Sequence, residues 1–415
     1  MKLRIVALLD LSPASPAILS KLIKHGGQTR LVLQAALGVS GPTVTRSASE
    51  LSDAQIIMTN LGAANGKGRP AETVELNEDG ICSIALSVRA DRTVASLLDA
   101  SGAAVKSVDL NITQETAYVD AVATMGDCVL NLAELAAQRF AVLSSVGISF
   151  FGSADYALAK ITEPSTFKAW HHKPLARDVE LYTGLPTAIE NYTIALVSAV
   201  NWFDADRLSD FFLVVADYGV GGVSSISGQP FLGGERRPSG FGHIDGQASG
   251  QRLCHCGGYD CLSATSSVRA IRDWAEELGL IRTARADLGA MLEELDLSES
   301  DQAHRLLEQA ASRLAAHALG ICRGMGLPVC VLAGALFDHS ARARAVARDV
   351  FAAPGHSCKA RFIGEVFAGR DTDDLAAAAI AYHHLSQTRK AYLLGNQQEL
   401  RTALARRSTN DNNGR

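Results

Sequence analysis

A chain of 415 residues exceeds what one hydrophobic core organises, so two or three domains are expected. Apolar content of 47% with a mean hydropathy of +0.09 suits a soluble globular protein. The net charge of −5 is unevenly spread: residues 1–70 hold eight Lys/Arg against three Asp/Glu, so a basic head precedes an acidic body. That is the pattern of a DNA-binding module attached to a sensor or enzyme.

The opening MKLRIVALLDL is apolar, but the run is short and broken by Asp10, with no small-residue cleavage pattern. Neither a signal peptide nor a membrane span is expected. Residues 14–24 place apolar side chains at helical spacing, and Gly26-Gly27 break that helix. Thr29 can cap a second helix, RLVLQAAL, which ends at Gly38. A third runs from about Pro42 to Leu51 with Ser40 as its N-cap. Two short helices around a glycine turn form a helix-turn-helix pattern. The strands QIIMTNLG and AETVELN then flank a loop, AANGKGRP, as a wing would.

In that motif the third helix enters the major groove. Its candidate DNA contacts are Ser40, Thr43, Thr45 and Arg46; Gly41 offers nothing. Arg69, extended between Gly68 and Pro70 in the wing, suits a narrow A·T-rich minor groove. The competing reading is a small helical interaction domain.

From Ile81 the texture changes. ICSIALSVRADRTVASLLDASGAAV reads as two strands joined by a turn, followed by a long helix from about Thr116 to Arg139 and the strand AVLSSVGISFFG. Strand, glycine turn and helix then recur through FFLVVADYGVGGVSSISG, VRAIRDWAEELGLI and PVCVLAGAL, the last before a helix around Ser340–Phe351. This is an α/β body. Gly219, Gly221 and Gly222 could bring backbone N–H groups near a phosphate, though a tight structural turn explains them equally well. The polar tail after Arg401 is expected to fray.

Cys254, Cys256 and Cys261 lie in LCHCGGYDC, just beyond Gly242-His243. One imidazole and three thiolates make a closed tetrahedral set for structural zinc, one ion per chain, with Gly257 and Gly258 allowing the tight fold between sulfurs. Three unrelated buried thiols are the alternative. The other five cysteines scatter along the chain, which reads as a reducing cytoplasm and disfavours a disulfide.

Taken together, these segments resemble the ROK family (repressors, open reading frames and sugar kinases), specifically its transcriptional-regulator branch. TRLVLQAALGVSGPTVTRSASEL resembles that branch's winged helix-turn-helix, and GKGRPAETVELN its wing and entry to the body. GISFFGSAD, STFKAWHHKPL, GLPTAIENYT, YGVGGVSSISGQPFLGG and GFGHIDGQASGQRLCHCGGYDC follow the body's signatures in order. The resemblance implies an α/β chain with a winged helix-turn-helix followed by a two-lobed, actin-like (ribonuclease H-like) sugar-kinase fold. The expected divisions are a DNA-binding domain over 1–77, lobes over 78–200 and 201–385, and a C-terminal helix and tail over 386–415.

The resemblance also implies zinc at His243, Cys254, Cys256 and Cys261. The spacing from His243 to Cys254 is one residue longer than usual, which leaves His255 as a substitute ligand. An adenine pocket is implied near residues 332–336. In the family's kinases an Asn-Asp pair supplies the base; here it reads Asn191-Tyr192, and a tyrosine with an ordinary pKa of about 10 replaces it poorly. Ser87 takes the acidic position of the first phosphate loop, beside Arg89 and Asp91. Gly240 and Ser263 stand where glutamates are usual, and Thr166 where the sugar-binding asparagine is usual. The ligand-facing positions are thus Thr166, Asn191 and His243, with Phe151, Tyr192 and Phe241 either serving a less hydroxylated guest or filling vacated space.

These features lead to the expectation of a non-enzymatic regulator, a repressor of carbohydrate uptake or catabolism genes. Such a protein would bind a double-stranded DNA operator as a homodimer or tetramer without a membrane, and sense a sugar-like effector. The alternatives are an active ATP-dependent sugar kinase and a ligand-independent DNA-binding regulator.

Overall fold

The computed structural model describes residues 5–61, 72–90, 92–163, 167–204, 208–233, 240–248, 250–254, 256–281 and 287–394. The chain forms two compact units: residues up to Asn191 together with those from Asp373 onward, and Tyr192–Thr372.

In the first unit the head consists of α1 (Ser15–His25), α2 (Arg30–Leu37) and α3 (Gly41–Asp53). Thr29 caps α2 by accepting from Val32 N, and Ser40 caps α3 by accepting from Thr43 N. Between the two helices Gly38 takes the left-handed conformation at φ 64° that glycine adopts without a Cβ penalty. Ile18, Leu19, Leu22, Leu33, Val44 and Leu51 close a small core with no more than 1% exposure. A three-stranded antiparallel sheet places Glu72–Leu76 between Gln28–Thr29 and Ile57–Leu61. The α1 N-terminus lacks a cap of its own. Instead the Glu50 carboxylate on α3 accepts from Ser12 N at 2.9 and 3.0 Å and from Ser15 Oγ at 3.2 Å.

The rest of this unit is a seven-stranded mixed sheet. Ile81–Val88 and Val142–Phe150 run parallel at its centre and are buried along their whole length, as strands covered on both faces must be. Thr93–Asp99 and Ala104–Asp109 extend it antiparallel. The second of these was not expected from the sequence: as an edge strand it is largely exposed, with Lys106 and Asp109 breaking the apolar alternation. Thr187–Asn191 pairs parallel with Val142–Phe150. The helix Thr372–Thr388 packs so closely that a Cβ at Gly147 would fall 2.0 Å from Ala377 O.

Both ends of the described chain join this sheet. Ile5–Asp10, unassigned in the sequence, pairs antiparallel with Lys390–Leu394. Of the C-terminal helix and tail expected over 386–415, the described part differs: a helix ends at Thr388, Arg389 turns the chain at φ 58°, and the β-favouring KAYLL forms a strand, while residues 395–415 lie outside the described residues. The lobe boundary expected at 200/201 lies inside the helix Tyr192–Phe203, and the unit changes at Asn191/Tyr192 instead. Residues 373–385, expected in the second lobe, belong to the first unit because their helix packs on its sheet.

The second unit contains a five-stranded sheet in the order Gln229–Pro230, Val220–Ile226, Phe211–Ala216, Val329–Ala333, Lys359–Phe362. The last three run parallel. The long helix Asp301–Met325 buries Leu307, Leu314 and Ala318 toward the core, with Ser300 capping its start and left-handed Gly326 its end.

Candidate nucleic-acid interface and metal centre

On α3 the buried side chains Val44, Ser47, Ala48 and Leu51 recur at helical spacing. That pattern turns Thr43, Thr45 and Arg46 outward, and Ser40 at the cap is exposed with them. Part of the Thr43 hydroxyl's capacity is used by Ser40 Oγ at 2.8 Å. The two helices of the motif are thus in place and present a hydroxyl-rich face with one guanidinium. Arg69 lies outside the described residues, as does the whole wing loop over 62–71.

The four candidate metal ligands converge in the second unit. The donor atoms of His243, Cys254, Cys256 and Cys261 all lie within 4.8 Å of one another. His243 Nδ1 is 3.6 Å from Cys254 Sγ, and the Cys256 and Cys261 sulfurs are 3.7 Å apart. A nitrogen about 2.0 Å and a sulfur about 2.3 Å from a tetrahedral zinc sit about 3.5 Å apart, and two sulfurs about 3.8 Å, so these two spacings fit the ion. His255 lies outside the described residues, and His243 completes the set without it.

The local chain explains the convergence. Leu253 and Tyr259 form an antiparallel bridge, Cys254 N donates to Gly258 O at 2.8 Å, and Gly257 turns at φ 88°. On the other side, Gly242 presses the short turn Phe241–His243 against a strand, since a Cβ there would fall 2.1 Å from Val220 O. Partial burial holds the His243 imidazole below its ordinary value, which favours the neutral ring a metal requires. Burial, then hydrogen bonding with Cys256, pushes the Cys261 thiol up to about 12. A dication would supply the positive charge that keeps such a sulfur ionised. Among the described residues the local apolar cluster holds Cys254, Cys261 and Ala264.

Of the expected ligand positions, Asn191 and His243 are among the described residues. Asn191 ends a strand of the first unit, with Nδ2 donating to Gly152 O at 2.7 Å. His243 belongs to the second unit, and Thr166 lies outside the described residues. Tyr192 is 3% exposed and Phe241 2%, the latter edge-on to Phe212 at 5.2 Å. Ser87 is buried. Arg89 contacts the Asp373 carboxylate at 3.0 Å and lies over the Phe151 ring at 4.4 Å.

In the glycine-rich turn of the second unit, backbone donors are already engaged. Asp217, 3% exposed, accepts from Tyr218 N at 2.8 Å and from Ala335 N at 3.2 Å. Ser263 Oγ accepts from Val220 N at 3.3 Å. The sequence reading had not drawn Asp217 or Glu50 into any role; each is a carboxylate that serves backbone donors far away in the chain, which spacing does not reveal. Among the described residues no helix is long and apolar enough to cross a membrane.

Comparison with known proteins agrees with this architecture. The pattern of the ROK family matches residues 83–358. A glucokinase of Thermotoga maritima is 26% identical over 182 residues, covering 44% of this chain and 56% of that protein. The DNA-binding transcriptional repressor Mlc of Escherichia coli K12 is 23% identical over 255 residues, covering 60% of this chain and 62% of the repressor. The chain therefore spans less than two thirds of the length of these curated relatives.

Among solved structures, a ROK family transcriptional regulator described as a homologue of the Escherichia coli Mlc protein superposes with a TM-score of 0.70 at 18% identity, covering 91% of this chain and 99% of that one. A ROK hexokinase from Thermus thermophilus gives 0.58 at 19% identity, covering 74% and 99%. At these identities the likeness concerns the fold, a winged helix-turn-helix followed by an actin-like sugar-kinase body. Because the family pattern spans more than half of the chain, the chain belongs to the ROK family.

Proposed function

We propose that this protein is a DNA-binding transcriptional regulator, a repressor of carbohydrate uptake or catabolism genes, acting as a homodimer or tetramer in a reducing cytoplasm. The observation that carries this reading is the outward face of α3, with Thr43, Thr45 and Arg46 exposed beside the Ser40 cap. A basic head with such a face on a ROK body has a repressor among its relatives. Base edges in the major groove accept hydrogen bonds from arginine and hydroxyl side chains. Arg69 would add a minor-groove contact from the wing.

The body acts as a sensor for a sugar-like effector rather than as a kinase. Phosphoryl transfer needs a carboxylate base and a cradle for nucleotide phosphates. Here Tyr192 replaces the base, Arg89 is held by Asp373 and Phe151, and Asp217 and Ser263 occupy donors of the glycine-rich turn. Zinc held by His243, Cys254, Cys256 and Cys261 would fix the loop that carries His243 and supply no chemistry beyond structure. Thr166, Asn191 and His243 would face the effector, whose binding would shift the placement of the DNA-binding heads.

The test is a titration of labelled DNA from beside the protein's own gene at several salt concentrations. Arg46→Ala should weaken binding by about 1–3 kcal/mol and flatten the salt dependence by about one ion. Arg69→Ala should lose the preference for A·T-rich flanks. Unaltered affinity in both variants overturns the assignment, and hexose-dependent ATP turnover would restore the kinase reading.

A further inference from the structure

We infer that Asp260 is a positioning residue for the metal centre, the point at which the three ligand-bearing segments are joined. This rests on the metal reading above and goes beyond it, because Asp260 offers no atom to the ion.

Asp260 is 9% exposed and adopts φ 53°, a conformation that costs an L-residue of this kind free energy unless its surroundings hold it. Its carboxylate faces the start of the segment carrying Cys254 and Cys256: Oδ1 accepts from Arg252 N at 2.8 Å and Oδ2 from Gln251 N at 3.0 Å. Its own N–H donates back to Arg252 O at 2.8 Å, and its carbonyl accepts from Gly246 N at 2.8 Å. That last bond ties in the segment that follows His243, where Leu262 N also donates to Ile244 O at 3.1 Å. Cys261 is the next residue in the chain.

One side chain and its peptide groups therefore bind the Cys254 arm, the His243 arm and the Cys261 arm to each other. The bridges Leu253–Tyr259 and Asp245–Cys261 join these arms in pairs, whereas Asp260 bonds to both the Cys254 arm and the His243 arm and is covalently next to Cys261. Gln251 and Gln247, at φ 52° and 54°, show that neighbouring turns are held in the same sparsely populated region. A carboxylate accepting two backbone N–H groups is what makes that arrangement affordable, and it brings the thiols together before any ion arrives.

Three substitutions separate the carboxylate from the backbone conformation. Asp260→Asn keeps a residue tolerant of positive φ but replaces one acceptor with a donor. Asp260→Gly relieves the backbone and deletes both acceptors. Asp260→Ala deletes the acceptors and worsens the backbone. Zinc affinity, measured by competition with a chromophoric chelator on the full-length protein, should fall about tenfold for Asn and about 10–100-fold for Gly and Ala, the range of losses for groups that orient metal ligands. Thermal unfolding in excess chelator should be nearly the same for wild type and Asn, which separates metal affinity from a general loss of fold. If Gly binds zinc as tightly as wild type, the backbone conformation alone matters and the inference is overturned. A wild type that binds no zinc would overturn the metal reading itself, a different result from a wild type and variants that bind equally.

Discussion

The head and the metal element are both small, yet they are stabilised by opposite means. The head encloses Leu22, Leu33, Val44 and Leu51 and is braced by Glu50, so its interior resembles that of any compact helical domain. The candidate metal element, among the described residues, has a local apolar cluster of Cys254, Cys261 and Ala264, and it gathers four possible donor atoms within 4.8 Å. Where burial of about 25 cal/mol per Å² is unavailable, a metal can provide the free energy of folding. The contrast teaches that the two regions should fail under different insults.

The largest expected effect is on the metal side. Cys256→Ser, or prolonged chelation, should reduce bound zinc from about one ion per chain to none and open residues around 240–261 to proteolysis. Zinc bound to such sets contributes on the order of 10 kcal/mol locally. Limited digestion with and without chelator reads this directly; a chelated protein as resistant as the untreated one would dissolve the contrast. The head should be indifferent to chelation and sensitive to its core: Leu51→Ala should cost about 2–5 kcal/mol of head stability in hydrogen exchange, leaving zinc content unchanged.

A smaller effect is expected at the brace. Glu50→Ala strands the Ser12 N–H and leaves Ser15 Oγ with Ser12 Oγ at the start of α1, at a cost of about 1–3 kcal/mol, whereas Glu50→Gln should recover part of it. The smallest concerns acid. Burial, followed for His383 by the charge of His384, holds both imidazoles below their ordinary value. The unfolded chain then binds more protons than the folded one, so first-unit stability is complete above about 6.5 and declines as pH falls below it. His383→Gln should flatten that decline in denaturant titrations at pH 5 and 7.

Much of this was legible from the residues themselves. Thr29, Gly38 and Ser40 announce the helix ends because capping chemistry is local. The convergence of His243, Cys254, Cys256 and Cys261 is legible because cysteine and histidine at close spacing have few other purposes. What escaped were pairings between distant parts of the chain. MKLRIVALLDL carries no partner in its own vicinity, and KAYLL reads as the end of a helix until Arg389 turns it. Asp260 hides for another reason: its importance lies in a backbone angle and two N–H groups. Asp217 hides likewise, since nothing in DYGVGG says that its carboxylate will reach Ala335.

The pairing of Ile5–Asp10 with Lys390–Leu394 has a consequence for the order of folding. Asp10 meets Lys390 across 380 positions of chain, so during synthesis the strand that leads into α1 waits for nearly everything else to be made. The helices of the head need only their neighbours and can form early, because contacts close in sequence close quickly. The helices of the head and the edge strand are therefore completed at different times, and a nascent chain halted before residue 390 would display a finished α3 on an unfastened base.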